Sequence, residues 1–350
     1  MSSIILGIIA SAGAAAAPTS AAILLSDDAS PYVLAYPWSA SGFGTKYANP
    51  ATLPPSTGRA ATLSISGNYA FVAHSTTPFI TAYPWSGSSG FGTKYSDPAN
   101  TPASTGRAVA HEETTSTIAV GHSITPYVTG YPWSASGFGT KFSNPATLPA
   151  GTGNGVTIEY SGAGYIGVAH SSTPFMSTYP WSASGFGTKY ANPASLPNGT
   201  GTGIDVDSSF NSWGLAMSTN PYIARWTAQP GPTTKSSDPA TSPTGNGSGA
   251  SWRGAKDFGI SHATSPFVSI YPSRTGSFGT KYSNPATLPT GDALAIKFNP
   301  SGVYVAIGHN VSPGISVYPW TTGTGFGTKY ANPATLPAAA SGVSFTDTAT

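Results

Sequence analysis

Apolar residues in this chain fall in short runs bounded by turn residues, and no segment sustains them at the 3.6-residue spacing of a helix. In one stretch, "GVTIEYS" (155–161), "YIGVAHS" (165–171) and "PFMSTYPW" (174–181) follow one another, rich in Val, Ile, Tyr and Thr. A tight "GAG" joins the first two and "STP" the next two, while the segment around "GTKYANPA" (187–194) supplies a fourth strand-like piece. Gly or Pro interrupts every candidate helix. The pattern predicts an all-β protein built from hairpins.

The same phrase returns along the chain. "YPWSASGFGTKYANPATLP" (36–54) reappears with small changes at 131–149 and 179–197. Aligned on the aromatic of this phrase, the copies start at Tyr36, Tyr83, Tyr131, Tyr179, Trp226, Tyr271 and Tyr318, in steps of 45–48 residues. Seven units of about that length, each with four strands, predict a seven-bladed β-propeller of four-stranded blades. The chain opens in mid-unit, since "AAILLSDDASPYVLAYPW" contains second and third strands but no first. It ends with "SGVSFTDTAT" (341–350), which reads as the absent first strand. The C-terminal strand is therefore expected to join the N-terminal blade and close the ring, leaving no open edge. Residues 19–350 form the propeller in this reading.

Residues 1–18 stand apart. The stretch has an apolar run, Ile4, Ile5, Leu6, Ile8 and Ile9, but no Lys or Arg precedes Lys46 and Pro18 follows the small-residue run. It reads as a docking or oligomerisation arm rather than a secretory leader, and it is too short to span a membrane.

The seventh unit, "ALAIKFNPSGVYVAIGHNVSPGISVYPW" (293–320), resembles a WD40-type blade: strand, turn ("NPSG", 299–302), strand, and a third strand ending in an aromatic pair. It departs from that family in having no Asp after the Trp and no Gly-His pair before the first strand, so WD40 scaffolding partners do not carry over. The repeated "FGTKYSNPATLP" signature also resembles repeat proteins encoded by tailed bacteriophages, a resemblance that implies association with a virion.

Composition narrows the chemistry. Charged residues make up 7% of the chain, with 14 basic and 12 acidic side chains and a net charge of +2, too weak and dispersed for nucleic-acid binding. Gly and Pro are abundant, aromatics reach 12%, and cysteine is absent, which excludes disulfides and thiolate metal sites. No nucleophile elbow, phosphate-binding loop or H-E-x-x-H motif is present. No cofactor or metal is expected.

Several residues recur at fixed places. Trp38, Trp85, Trp133, Trp181 and Trp320 share a slot that suits packing between blades, with a ring of sugar-binding platforms as the alternative. His74, His122, His170, His262 and His309 share another, with Asp27 and Met217 in the remaining units. Equivalent places on second strands lie too far apart around a ring to converge on a metal, so each His is expected to tie down its own hairpin. Seven lysines, from Lys46 to Lys329, follow "FG" or its counterpart and read as solvated side chains over a neighbouring ring. Asp205 and Asp207 alternate on one strand face and read as channel-side acids. Units five and six depart from the consensus and gather Arg225, Trp226, Trp252, Arg253 and Arg274, a mixture suited to a recognition edge.

Because the distinctive residues are copied around a ring while ionisable ones are scattered, the sequence predicts a non-catalytic structural protein of a phage particle. It would decorate the head or form part of a tail appendage, docked to other virion proteins or sister subunits through residues 1–18. The alternative is an adhesin that binds host-surface glycans through the propeller loops.

Overall fold

The computed structural model describes residues 21–159, 164–207, 212–228, 231–254, 256–273 and 276–347. Seven antiparallel sheets are arranged as a β-propeller, without helices among the described residues. The first blade is composite. Its innermost strand, Ala340–Thr346, pairs with Ala22–Asp27, which pairs in turn with Val33–Ser39. Ile23 lies opposite Phe345 and Leu24 opposite Ser344, so the last strand of the chain closes the ring. The other innermost strands are Gly58–Leu63, Gly106–Glu112, Gly153–Glu159, Gly201–Asp207, Gly247–Arg253 and Ala293–Phe298.

The outermost strand is shorter than the sequence suggests. In the fourth blade it pairs only over Gly185–Phe186, and "GTKYANPA" continues beyond it without a ladder. The reason lies in the partner strand, where Pro180 has no N–H to donate. It can only accept, from Gly187 N at 2.9 Å, and the next bond, Tyr190 N to Thr178 O, skips past it. In the sixth blade no two-residue ladder is formed among the described residues, yet the equivalent bonds, Gly279 N to Pro272 O and Tyr282 N to Ile270 O, hold the outer segment in place.

The repeated phrase is an instruction for joining blades. Each of the five tryptophans is 2–4% exposed, and each meets at least two rings edge-on. One belongs to its own outer strand (Trp38–Phe43, 5.0 Å) and another follows the lysine of the preceding blade (Trp38–Tyr330, 4.9 Å). The same pair recurs at Trp85, with Phe91 and Tyr47, and at Trp320, with Phe326 and Tyr282. The Tyr before each Pro is buried, and its hydroxyl donates to a carbonyl of the loop entering its blade, as from Tyr83 to Thr52 (2.8 Å). In the fifth blade Trp226 does the same through its indole N–H, to Ser195 O at 2.9 Å. Each lysine bonds the Asn or Asp three residues on, for example Lys141 to Asn144 and Lys235 to Asp238.

The drift of units five and six is compensated one strand inward. Ala228 and Ser273 stand where other units carry Trp. In those two units alone the second residue of the neighbouring strand becomes a large aromatic, Trp213 and Phe258, in place of Ile, Ala or Val. Trp213 meets Tyr165 of the preceding blade edge-on, the contact that Trp133 makes with Tyr69.

Candidate active site

The innermost strands converge on the axis of the ring, and each begins in the same way. The first residue is Gly in five blades, where a Cβ would collide with the carbonyl of the preceding blade's turn: Tyr32 O for Gly58, Phe79 O for Gly106, Tyr127 O for Gly153. Only glycine permits so close a backbone approach without the turn giving way.

The second residue is then expelled from the ladder. Registers run Gly58 opposite His74 and Ala60 opposite Ala73, so Arg59 is the extra residue of a β-bulge. The same shift occurs in all seven blades and singles out Arg107, Asn154, Thr202, Ser248, Leu294 and Ser341. A bulge re-aims one side chain. All seven of these residues line a bowl of about 780 Å³ at the channel mouth directly beside the turns, together with Asp28, Ser123, Ser171 and Asn310.

The bowl is polarised around its rim. On blades four to six the bulge residues serve the next blade: Asn154 Nδ2 donates to Gly201 O (2.9 Å), Thr202 Oγ1 to Gly247 O (2.7 Å), and Ser248 Oγ to Ala293 O. On blades two and three they are arginines. Arg59 Nε donates to Ser75 Oγ (3.0 Å) and Arg107 Nε to Asn154 Oδ1 (3.1 Å). Neither guanidinium forms a salt bridge with a carboxylate among the described residues. Burial, and then the neighbouring charge of Arg59, holds Arg107 below the usual arginine range. Two adjacent like charges that no carboxylate among the described residues pairs directly make a seat for an anion.

The far end of the channel is built differently. A cavity of about 430 Å³ there is lined by His111, Glu159, Asp205, Arg253 and Lys297, among others. Asp205 is committed to holding blades together: it accepts from Thr157 Oγ1 (3.1 Å) and Trp252 N (2.8 Å), with Lys297 Nζ at 3.8 Å. Asp207 is buried, and Glu112 caps its own hairpin through Thr114 N and Thr115 N.

The residues singled out in sequence lie elsewhere. The five tryptophans are buried between blades and offer no platform to a sugar. The five histidines are fully buried, and each shares a hydrogen bond through Nε2 with a hydroxyl seven residues on: Thr81, Thr129, Ser177, Ser269 and Ser316, at 2.8–3.2 Å. Where the histidine is replaced by Asp27 or Met217, the residue seven further on is Leu34 or Ala224, so ring and hydroxyl are lost together. Arg225, Trp226 and Trp252 are also buried. Arg225 donates to Ser212 Oγ (2.7 Å) and lies 5.6 Å over the Trp252 ring. Arg253 bonds Gly302 O and Thr322 of the next blade. These contacts join blades, and Trp252 and Arg253 also line the far cavity; Arg274 falls outside the described residues, as do Ile4, Ile5, Leu6, Ile8 and Ile9 of the arm. Among the described residues no three His, Asp or Glu side chains gather as a metal site requires.

The comparisons with known proteins follow from this geometry. No protein-family model matches the chain, and no curated protein matches it in sequence. Solved structures do match. A Bacteroides uniformis protein provisionally assigned as a 6-phosphogluconolactonase superposes with a TM-score of 0.70 at 12% identity, over 93% of this chain and 99% of its own. The periplasmic gluconolactonase of Pseudomonas aeruginosa gives 0.68 at 13% identity, over 94% and 100%. The WD40 propeller domain of Doa1 gives 0.57 at 12%, over 81% and 85%. The chain is a seven-bladed, WD40-like propeller.

At these identities the likeness establishes the fold, and it removes the ground for two expectations. A ring of copied units does not by itself imply a passive particle component without catalysis. Rings of the same build, matched over almost their whole length, include proteins named for gluconolactone hydrolysis, so the non-catalytic phage role does not stand. None of the structures named here is a phage or virion protein. The physical reason is geometric. Asp28, Arg59 and Arg107 look scattered along the chain, but successive blades bring all three to one bowl. The signal was present: the residue after the glycine reads Arg, Arg, Asn, Thr and Ser in five units, varying inside an otherwise constant phrase.

Proposed function

We propose that the chain is a hydrolase of sugar-acid lactones and that its substrate sits in the bowl at the channel mouth. The observation that carries this reading is the arginine pair on adjacent bulges, which is free of salt bridges among the described residues and faces a bowl otherwise lined mainly by hydroxyl and amide groups. A lactone is a cyclic ester studded with hydroxyls. Its carbonyl oxygen becomes anionic when water attacks, and its product is a carboxylate. Two guanidiniums suit both the developing oxyanion and the product, because preorganised donors act where charge appears. Ser123, Ser171, Thr202 and Asn154 suit the sugar hydroxyls. The volume falls within the range of small-molecule sites. The propellers named for gluconolactone hydrolysis support the choice of ester.

Proton release from glucono-δ-lactone and from its 6-phosphate, followed in weak buffer, tests the proposal. Turnover well above the spontaneous rate is expected with at least one of them, and Arg107→Ala should lower kcat/KM by about 100-fold, the usual consequence of losing an oxyanion donor. Opening rates no faster than buffer with both lactones would overturn it.

A further inference from the structure

We infer that Asp28 is the base that activates the attacking water, a role that rests on the lactone reading above. The bowl's titratable groups are few. Among the described residues lining it, Asp28 is the one carboxylate, Arg59 and Arg107 are the cations, and no His, Lys, Glu or Tyr is present. Arginine stays protonated and cannot serve as a base. The carboxylate belongs to the turn after the second strand of the first blade, in a slot that carries Ser, Ala or Asn in the other six units. Its turn is pinned on both sides: Asp28 N donates to Ala339 O (3.3 Å), and Thr57 Oγ1 donates to Asp28 O (3.4 Å). Oδ1 accepts from the hydroxyl of Ser341, the bulge residue of the same blade, at 3.2 Å. Among the described residues none donates to Oδ2, which leaves that oxygen available to a water.

Blades one, two and three follow one another around the rim, so the carboxylate and the two guanidiniums occupy one side of the bowl. With the lactone carbonyl over Arg59 and Arg107, a water beside Asp28 approaches the carbonyl carbon from the first blade. Asp28 takes a proton from the water as its oxygen bonds to that carbon, and the carbonyl oxygen becomes an oxyanion facing the arginines. The intermediate collapses, the ring C–O bond breaks, and the proton on Asp28 passes to the departing alkoxide. The product is the open hydroxy acid, and no further reactant is consumed.

The experiment compares the whole protein with Asp28→Asn, Asp28→Glu and Ser341→Ala, measuring kcat and KM for whichever lactone the parent hydrolyses. Asp28→Asn should lower kcat by about 100-fold or more with KM changed less than threefold, as loss of a general base does. Asp28→Glu should recover part of the rate, and Ser341→Ala should lose severalfold by freeing the carboxylate. Melting curves check that each variant is folded; should Asp28→Asn fail to fold, Ser341→Ala decides, and an unchanged kcat there counts against the role. An active parent with an unaltered kcat in folded Asp28→Asn overturns the role of Asp28 and leaves the lactone reading intact. An inactive parent overturns both.

Discussion

At the scale of single residues, the five histidines carry a consequence for acid stability. Burial pushes His74, His122, His170 and His262 down to about 4 from the ordinary 6.5, and lowers His309 as well. In His309 the Nδ1–H donates to Val311 O (2.7 Å), so Nε2 accepts the Ser316 hydroxyl. The folded chain keeps these rings neutral at pH values where the unfolded chain binds protons. Their contribution is therefore complete above about 6.5 and is lost as the pH falls toward 4. Calorimetric melting is expected to drop by several degrees between pH 7 and pH 4.5, and the slope should flatten in His74→Gln combined with His122→Gln. The spacing of seven between ring and hydroxyl was readable in the sequence as a repeat. That each His ties down its own hairpin was legible too; the particular hydroxyl was not, because the pairing of second and third strands through a tight turn is what brings the two side chains together.

At the scale of elements, compensation and bulging decide what a substitution does. Trp213→Ala should cost about 3–5 kcal/mol in denaturant unfolding, the usual range for a buried Trp, although it lies in a unit that has drifted. Ser273→Trp alone should overfill the space already taken by Phe258 and cost about 1–3 kcal/mol. Combined with Phe258→Val it should cost less, and a double-mutant cycle would read that coupling. Strand number and order were legible in the short apolar runs between turn residues, and the period gave the count of blades. The bulges were not legible, because they arise where the start of an innermost strand meets the turn of another blade, an event between units that no single unit records. The outer strand was overextended for a simpler reason: the Pro in "YPW" removes a donor from its partner.

At the scale of the whole molecule, closure depends on one strand contributed from the far end of the chain. Phe345 is buried against Trp38 at 6.0 Å, and Ser344 Oγ accepts Leu63 N of the second blade at 3.0 Å, so the last strand is bonded on both sides. Removing residues 340–350 should lower the melting temperature by more than 10 °C and promote association through the bared Ala22–Asp27 edge, visible as larger species in size exclusion. Phe345→Ala should cost about 3–5 kcal/mol without opening the ring. The seven bulges have a different kind of significance. A side chain that stands outside the ladder can be exchanged without disturbing the pairing beneath it. The lip of this wheel is thus editable one spoke at a time, and a descendant could trade an arginine for a threonine, and one guest for another, while its frame stays as it was.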